Sequence, residues 1–286
     1  MKTFRILQAC FLFLLLPLCG KENKSAQPSN GKLPVKNEIQ KFFPKAKLLK
    51  EDPTELQYMV TAGKNRFWLA IPTDKKINDL HFIFVFSGRG GSGKNNNINV
   101  AGIPEQFRKQ MQQTGFAFIC AVCSPNAWGD PGSTEATLAA IRYCRKQGIN
   151  LPPKIDLLGF SMGGLGALMF AARHPEEVRK VTDVFGITDL EEFYKQGKYR
   201  AAIEKIPPAE RQDRIPCTKI ERYQNIEFLI IHGDKDTTVS KSHSERFYAL
   251  LQKQNIKAEF IIIPGIGHSN NILQKAGPDI LNFFKK

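Results

Sequence analysis

The sequence lacks the features that would indicate a nucleic-acid-binding protein. Its net charge is +14, from 41 basic and 27 acidic side chains, yet the lysines are spread along the whole chain. It has no dense Lys/Arg block and no strand motif in which basic and aromatic residues alternate. We therefore predict no nucleic-acid partner and interpret the charge as a solvated basic surface, suited to lie near anionic phospholipid.

Cysteine is scarce, and the pattern of metal ligands is incomplete. Of the 6 cysteines, Cys120 and Cys123 have C-x-x-C spacing, but they lie along an apolar strand and no second such pair follows. We therefore predict no metal site. For Cys123 and Cys144 two interpretations stay open, a disulfide formed in an oxidising compartment or buried free thiols.

The first 18 residues have the pattern of a secretory signal. Lys2 and Arg5 precede an apolar run, Ile6 to Leu18, which is too short to span a bilayer comfortably. The polar segment after it, residues 19–50, is interpreted as a tether and a leading segment, with a short helix expected over residues 39–49.

The end of this signal resembles a bacterial lipobox, in which the cysteine is lipidated and becomes the mature N-terminus. The residues are Leu16-Pro17-Leu18-Cys19-Gly20, and Leu18 stands where a small residue is usual. The resemblance implies an exported protein anchored in the membrane through Cys19. With ordinary cleavage after Gly20 the protein would instead be periplasmic or secreted.

A serine lies in a sharp turn between a predicted strand and a predicted helix. The sequence Gly159-Phe160-Ser161-Met162-Gly163-Gly164 follows the apolar run Ile155 to Leu158 and precedes the helical run Leu165 to Arg173. This is the G-x-S-x-G pattern of a nucleophile elbow, whose glycines leave room for the neighbouring strand and helix. Ser161 is therefore the candidate nucleophile.

The elbow resembles that of the α/β-hydrolase family, and two later segments match the family in order. His232-Gly233-Asp234-Lys235-Asp236 is similar to the H-G-x-x-D-x-x-V segment that carries the acid. Gly265-Ile266-Gly267-His268 follows the last predicted strand. The resemblance implies a Ser161, Asp236, His268 triad, with Asp234 as a turn residue. His243, inside a predicted helix, is expected to face solvent.

A glycine-rich stretch follows the predicted strand His81 to Phe86. It begins Ser87-Gly88-Arg89-Gly90-Gly91 and lacks the G-K-[ST] ending of a phosphate-binding loop. It resembles the oxyanion loop of esterases, with Ser87 where a histidine is usual. The resemblance implies an oxyanion hole formed at Gly88 by the backbone N–H of Arg89, together with that of Met162.

The resemblance also implies the fold and its subdivision. We expect an α/β-hydrolase fold over residues 51–286, with a mostly parallel central sheet, helices on both faces and a short cap insertion at about residues 189–223. Tyr194 and Tyr199 of the cap are expected to line the substrate pocket. Trp128 has two interpretations, pocket lining or packing.

The implied activity is that of a serine hydrolase which needs no cofactor. Its glycine-rich loop and small cap are similar to those of esterases and of the catalytic domain of prolyl-oligopeptidase-like peptidases. A small-molecule ester is the expected substrate, and a peptide is the alternative. A third hypothesis is a non-catalytic, surface-tethered binding protein on the same fold.

Overall fold

The computed structural model describes residues 34–89 and 102–286. The predicted signal, Cys19 and the glycine-rich loop from Gly90 onward lie outside these residues. Among the described helices, none is both long and apolar enough to cross a membrane.

The described strands form one mixed sheet in the order β1-β2-β3-β5-β4-β6-β7-β8-β9. From β4 to β9 all neighbouring strands are parallel, whereas β1, β2 and β3 pair antiparallel at one edge. The strands are β1 (Lys47–Asp52), β2 (Glu55–Ala62), β3 (Asn65–Pro72), β4 (His81–Phe86), β5 (Phe116–Ala121), β6 (Ile155–Phe160), β7 (Val178–Val184), β8 (Glu227–Gly233) and β9 (Ala258–Ile263).

Helices connect the parallel strands and cover both faces of the sheet. Short 3₁₀ turns at residues 77–79, 175–177, 216–218 and 220–223 complete the connections. The helices are α1 (Pro34–Phe42), α2 (Glu105–Gln113), α3 (Pro131–Lys146), α4 (Met162–Arg173), α5 (Leu190–Lys195), α6 (Arg200–Ile203), α7 (Pro208–Asp213), α8 (Ser242–Lys253) and α9 (Ile272–Lys285).

The alternation of side chains along the buried strands divides the core into two layers. In β4, Phe82, Phe84 and Phe86 pack in the layer that contains α1, α3, α4 and α8. Ile83 and Val85 point the other way, toward α2 and α9. The run HFIFVF is apolar at every position after its first because both faces of this strand are covered. The expected α/β-hydrolase fold is confirmed.

The start of the structured chain differs from the sequence-based expectation. Helix α1 ends at Phe42, and the segment that follows it is strand β1, where a helix over residues 39–49 was predicted. Strand β1 begins before residue 51, and its Leu48 pairs with Tyr58 of β2. The mixed Lys/Leu pattern fits an amphipathic helix and a half-covered edge strand equally well, and pairing with β2 decides between them.

The segment predicted as a cap is part of the connection from β7 to β8. It consists of the short helices α5, α6 and α7 and the 3₁₀ turns after them. Ile187, Leu190, Phe193 and Ile203 of this connection pack in a separate apolar cluster with Met162 of α4. The cap therefore lies directly on the helix that follows Ser161.

Candidate active site

The nucleophile elbow is strained and tightly enclosed. Ser161 has φ 55° and ψ −118°, a positive φ that non-glycine residues rarely adopt. A side chain on Gly163 would collide with the carbonyl of Phe86, and one on Gly159 would lie 2.8 Å from the Gly164 Cα. Glycine is therefore required on both sides of the serine, which projects half-buried at the carboxyl edge of the sheet.

The structure brings together Ser161, Asp236 and His268, which lie after three different parallel strands. His268 Nε2 is 2.9 Å from Ser161 Oγ, and His268 Nδ1 is 2.7 Å from Asp236 Oδ2. In the arrangement that satisfies both bonds, Nδ1–H donates to the carboxylate and Nε2 accepts from the serine hydroxyl. The imidazole also packs against Phe185, with ring centroids 4.6 Å apart, which fixes its orientation.

Asp236 is held as a carboxylate by several donors. Its Oδ1 accepts from the backbone N–H groups of Thr238 at 2.8 Å and Val239 at 2.9 Å. Burial alone would raise its pKa, but hydrogen bonds from His232, His268 and the Val239 amide hold that pKa well below its usual range. Asp236 is therefore present as the carboxylate that accepts the hydrogen bond from His268 Nδ1–H.

His232 is a functional neighbour that sequence reasoning did not identify. It is fully buried, and its Nε2 lies 2.9 Å from the Val239 carbonyl and 3.4 Å from Asp236 Oδ2. Its Nδ1 accepts from Ser244 Oγ at 2.8 Å, which leaves the proton on Nε2. His232 therefore contacts the loop that carries Asp236 from the protein interior and holds this loop in place. Its position as the first residue of the H-G-x-x-D segment was the feature of the sequence that could have identified it.

Asp234 does more than the turn residue that was predicted. Its Oδ1 accepts from the backbone N–H of Gly265 at 2.7 Å. That bond joins the loop of Asp236 to the loop of His268. The two loops are also joined by the Lys235 N–H, which donates to the Ile266 carbonyl at 3.0 Å.

The predicted oxyanion residues flank the serine. A Cβ on Gly88 would lie 3.9 Å from Ser161 Cβ and 3.4 Å from the Phe160 carbonyl, so the Gly88 backbone passes directly beside the nucleophile. Arg89 follows Gly88, and Met162 begins α4, so its backbone N–H belongs to the free first turn of that helix. This arrangement is suited to bind a negative oxygen.

The three predicted pocket residues have different surroundings. Trp128 is fully buried and packs against Phe193 and Tyr199, with ring centroids 6.1 and 5.8 Å apart. Tyr199 is 42 % exposed and lies beside Arg89. Tyr194 is half-buried under the guanidinium of Arg211, 4.2 Å from its ring centroid.

The prediction that His243 faces solvent is wrong. Its side chain is fully buried between α8 and the cap, where Nδ1 accepts from the Thr188 N–H at 3.4 Å and the ring contacts Phe193. Burial lowers its pKa to about 4. The helical prediction was correct, but the cap covers the face that carries His243.

The cysteines of the described residues are free thiols. Cys123 and Cys144 belong to different apolar clusters and form no disulfide. Burial raises the pKa of Cys123 to about 11 and that of Cys144 to about 12, so neither is a reactive thiolate near neutral pH. Within residues 34–89 and 102–286 there is also no cluster of side chains able to hold a metal ion.

A family match covers the segment that carries this site. The family model described as "Prolyl oligopeptidase family" matches residues 126–286, more than half of the chain. The match includes the elbow, the acid loop and the histidine loop, and it begins after Gly88 and Arg89.

Solved structures of esterases and peptidases have the same fold. The "truncated form of carbohydrate esterase from gut microbiota" is 21% identical, with a TM-score of 0.65, over 84% of this chain and 98% of that one. The "Mycobacterium tuberculosis puromycin-hydrolyzing peptidase" is 18% identical, with a TM-score of 0.66, over 80% of this chain but only 39% of that one. At such low identity these similarities show the fold alone.

Curated relatives match this chain over a short segment. The pimeloyl-[acyl-carrier protein] methyl ester esterase of Neisseria meningitidis serogroup B (strain H44/76) is 43% identical over 60 residues, which are 20% of this chain and 23% of that protein. The chain thus matches less than a quarter of that relative's length. Family and fold together support a serine hydrolase.

Proposed function

The chain belongs to the prolyl oligopeptidase family, and we propose that it hydrolyses an ester of small or medium size through an acyl-enzyme. The observation that carries this proposal is the position of His268, hydrogen-bonded at once to Ser161 Oγ at 2.9 Å and to Asp236 Oδ2 at 2.7 Å. A nucleophile, a base and an orienting acid joined by hydrogen bonds form an arrangement that activates a serine for acyl transfer.

In the proposed mechanism His268 Nε2 takes the proton of Ser161 as Oγ attacks the ester carbonyl. Asp236 keeps the proton on Nδ1 and stabilises the imidazolium that forms. The backbone N–H groups of Arg89 and Met162 stabilise the oxyanion, at about 3–4 kcal/mol for each donor. His268 then protonates the departing alcohol, and water, activated by the same histidine, releases the acid and restores Ser161.

Two features favour an ester as substrate. The cap between β7 and β8 is short. The truncated form of the carbohydrate esterase is covered over 98% of its length, whereas the peptidase is covered over 39%. Because the family name and the peptidase neighbours point to peptides, a peptidase is the second candidate.

Intact mass after exposure to a fluorophosphonate tests the mechanism. We expect one adduct on the wild-type protein and none on Ser161→Ala, and we expect hydrolysis of short-chain 4-nitrophenyl esters to be lost with it. A folded wild-type protein that neither labels nor hydrolyses these esters would favour the binding-protein alternative.

A substrate panel separates esterase from peptidase. Acetyl, butyryl and hexanoyl 4-nitrophenyl esters are compared with 4-nitroanilides of Ala-Pro and Ala-Ala at matched concentration. We expect kcat/KM on the best ester to exceed that on the best anilide by more than the intrinsic reactivity difference, which alkaline hydrolysis of the same compounds measures. Preference for the prolyl anilide would establish the peptidase.

We also propose that the protein is exported and anchored through a lipid on Cys19. The support is the basic start, the apolar run and the lipobox-like sequence of the first 20 residues. Expression in a bacterial host with radiolabelled palmitate tests it. Label in the membrane fraction that disappears in Cys19→Ser is expected, and an unlabelled protein in the periplasm would contradict the anchor.

A further inference from the structure

Arg89 has a side chain to account for, apart from the role of its backbone in the proposed oxyanion hole. It directly follows Gly88, where a Cβ would lie 3.9 Å from the Cβ of Ser161. The Arg89 side chain is exposed. An arginine next to the reacting serine carries five N–H donors and a permanent positive charge.

The guanidinium of Arg89 is oriented by two contacts from different parts of the site. Its Nε donates to Asn126 Oδ1 at 3.1 Å, and its Cζ lies 4.8 Å from the ring centroid of Tyr199 in the cap. Tyr199 in turn rests on the buried ring of Trp128. Because Nε is used, the terminal Nη groups remain as the fork that binds a carboxylate in two parallel hydrogen bonds.

Arg89 has no acidic partner among the described residues. Arg211 of the cap differs, since it pairs with Glu191 at 2.9 Å and is buried. The acid on the same loop as Asn126 is Asp130, and its carboxylate accepts from the Ser133 N–H at 2.6 Å to cap α3. In sequence, residues 90–101 contain neither Asp nor Glu. Within the described residues and residues 90–101, no acidic side chain is thus available to pair with Arg89.

We propose that Arg89, held by Asn126 and Tyr199, forms a carboxylate-binding subsite, so that the preferred substrate is an ester that also carries a carboxylate. This inference rests on the proposed function and narrows its substrate class. A carboxylate on either the acyl or the alcohol part of the ester would form the same two hydrogen bonds with the guanidinium. When the substrate binds, water is excluded from the pair formed by its carboxylate and the Arg89 guanidinium. The attraction between the two charges is then stronger than in an exposed ion pair.

A purely structural role for Arg89 makes a different prediction. If its contact with Tyr199 served only to hold the cap against the glycine-rich loop, removing the side chain would slow neutral and anionic substrates by the same factor. The ratio of kcat/KM for an anionic ester to that for its neutral counterpart therefore distinguishes the two roles.

The test uses two pairs of esters that differ in one group. For the acyl side, 4-nitrophenyl hydrogen adipate is compared with 4-nitrophenyl hexanoate, in which a methyl group replaces the carboxylate. For the alcohol side, 4-acetoxybenzoate is compared with 4-methylphenyl acetate. Each ratio is measured for wild type, Arg89→Met, Arg89→Lys and Arg142→Met. Arg142 is an exposed arginine in the last part of α3, so its variant removes the same charge elsewhere.

We expect Arg89→Met to lower the anionic-to-neutral ratio about tenfold in one of the two pairs, because a charge-assisted hydrogen bond is lost. The affected pair identifies the side that carries the carboxylate. Arg89→Lys keeps the charge without the fork and should lower the ratio less, and Arg142→Met should leave it unchanged. Added salt should lower the wild-type ratio.

An unchanged ratio in both pairs for Arg89→Met would overturn the subsite. Turnover of the neutral esters by wild type reports separately on the proposed function. If neither member of a pair is hydrolysed, the labelling rate by a fluorophosphonate with a terminal carboxylate, relative to its methyl counterpart, supplies the same ratio. Equal effects of Arg89→Met on both labelling rates would likewise contradict the subsite.

Discussion

Two buried aspartates, each at the end of a parallel strand, have opposite electrostatic surroundings. Asp236, after β8, accepts hydrogen bonds from two backbone amides and from His268, and its pKa lies well below its usual range. Asp183, in β7, lies behind the elbow turn, and neither of its carboxyl oxygens has a hydrogen-bond partner among the described residues. Burial raises the pKa of Asp183 to about 7.

The difference shows that burial does not by itself decide the charge of a carboxyl group. Donors that point at Asp236 more than offset its desolvation, so that it stays an anion. Asp183 has desolvation alone, so the neutral acid is favoured up to neutral pH. The first surroundings are suited to orienting a histidine. The second are suited to filling space between Gly164 and Gly186.

Exchanging the charged acid for an amide should have the largest effect at Asp236. We expect Asp236→Asn to lower kcat on the best ester about 10⁴-fold, because the amide no longer keeps the proton on Nδ1 of His268. Steady-state kinetics with active-site titration measures this loss.

Asp234→Asn is the matched control, two residues earlier in the same loop. Asp234 accepts from the Gly265 N–H and does not contact His268, so less than about a tenfold loss is expected. Equal losses in the two variants would mean that the loop as a whole, and not the acid, supports the histidine.

The sequence was informative where backbone geometry is local. A turn between a strand and a helix that needs glycine at 159 and 163 can be identified from a few residues. The loops of Asp236 and His268 follow strands that share one edge of a parallel sheet. Their meeting was predicted from the resemblance of the three segments to those of α/β-hydrolases, and the parallel sheet brings the ends of their strands to one edge.

Contacts between distant segments were not predictable in the same way. His243 is buried because the cap packs on α8. The helical pattern of the sequence around His243 does not indicate this contact. His232 holds the loop of Asp236 through a hydrogen bond to the Val239 carbonyl, and Asp183 packs against Gly164 of α4. Such burial depends on which elements become neighbours, and hydrophobic periodicity reports only which face is apolar.

The raised pKa of Asp183 predicts a pH-dependent stability. Between its unfolded pKa near 4 and its folded pKa of about 7, the folded state holds a proton that the unfolded state releases. Stability from this group is therefore lost as pH rises through that range. Between pH 5 and pH 8 we expect Asp183→Asn to gain about 3 kcal/mol in unfolding free energy relative to wild type, as measured by urea unfolding.

Asp156→Asn provides the opposite case. Asp156 is buried too, but hydrogen bonds from His81 and Arg179 outweigh burial and lower its pKa. It is ionised at both pH values in both states, so titration of this carboxyl itself adds no difference between pH 5 and pH 8 to the loss of stability in its variant. If Asp183→Asn behaved in that way, the carboxyl of Asp183 would have to be paired in solution.

The packing of Asp183 makes a smaller prediction that is independent of charge. The three atoms nearest to a Cβ on Gly186 would all belong to the Asp183 side chain, including Cγ at 2.6 Å and Oδ2 at 2.7 Å. Gly186→Ala should therefore destabilise the protein by about 1–3 kcal/mol, as overpacking does. In Asp183→Ala the carboxyl is absent, so adding Gly186→Ala to that variant should cost much less. A double-mutant cycle from urea unfolding at pH 5, where the acid is neutral, measures the difference. If the effects of the two substitutions were additive, the backbone of Gly186, and not the Asp183 side chain, would cause the loss of stability in Gly186→Ala. The Asp183 side chain, unlike that of Asp236, would then not be fixed by its neighbours.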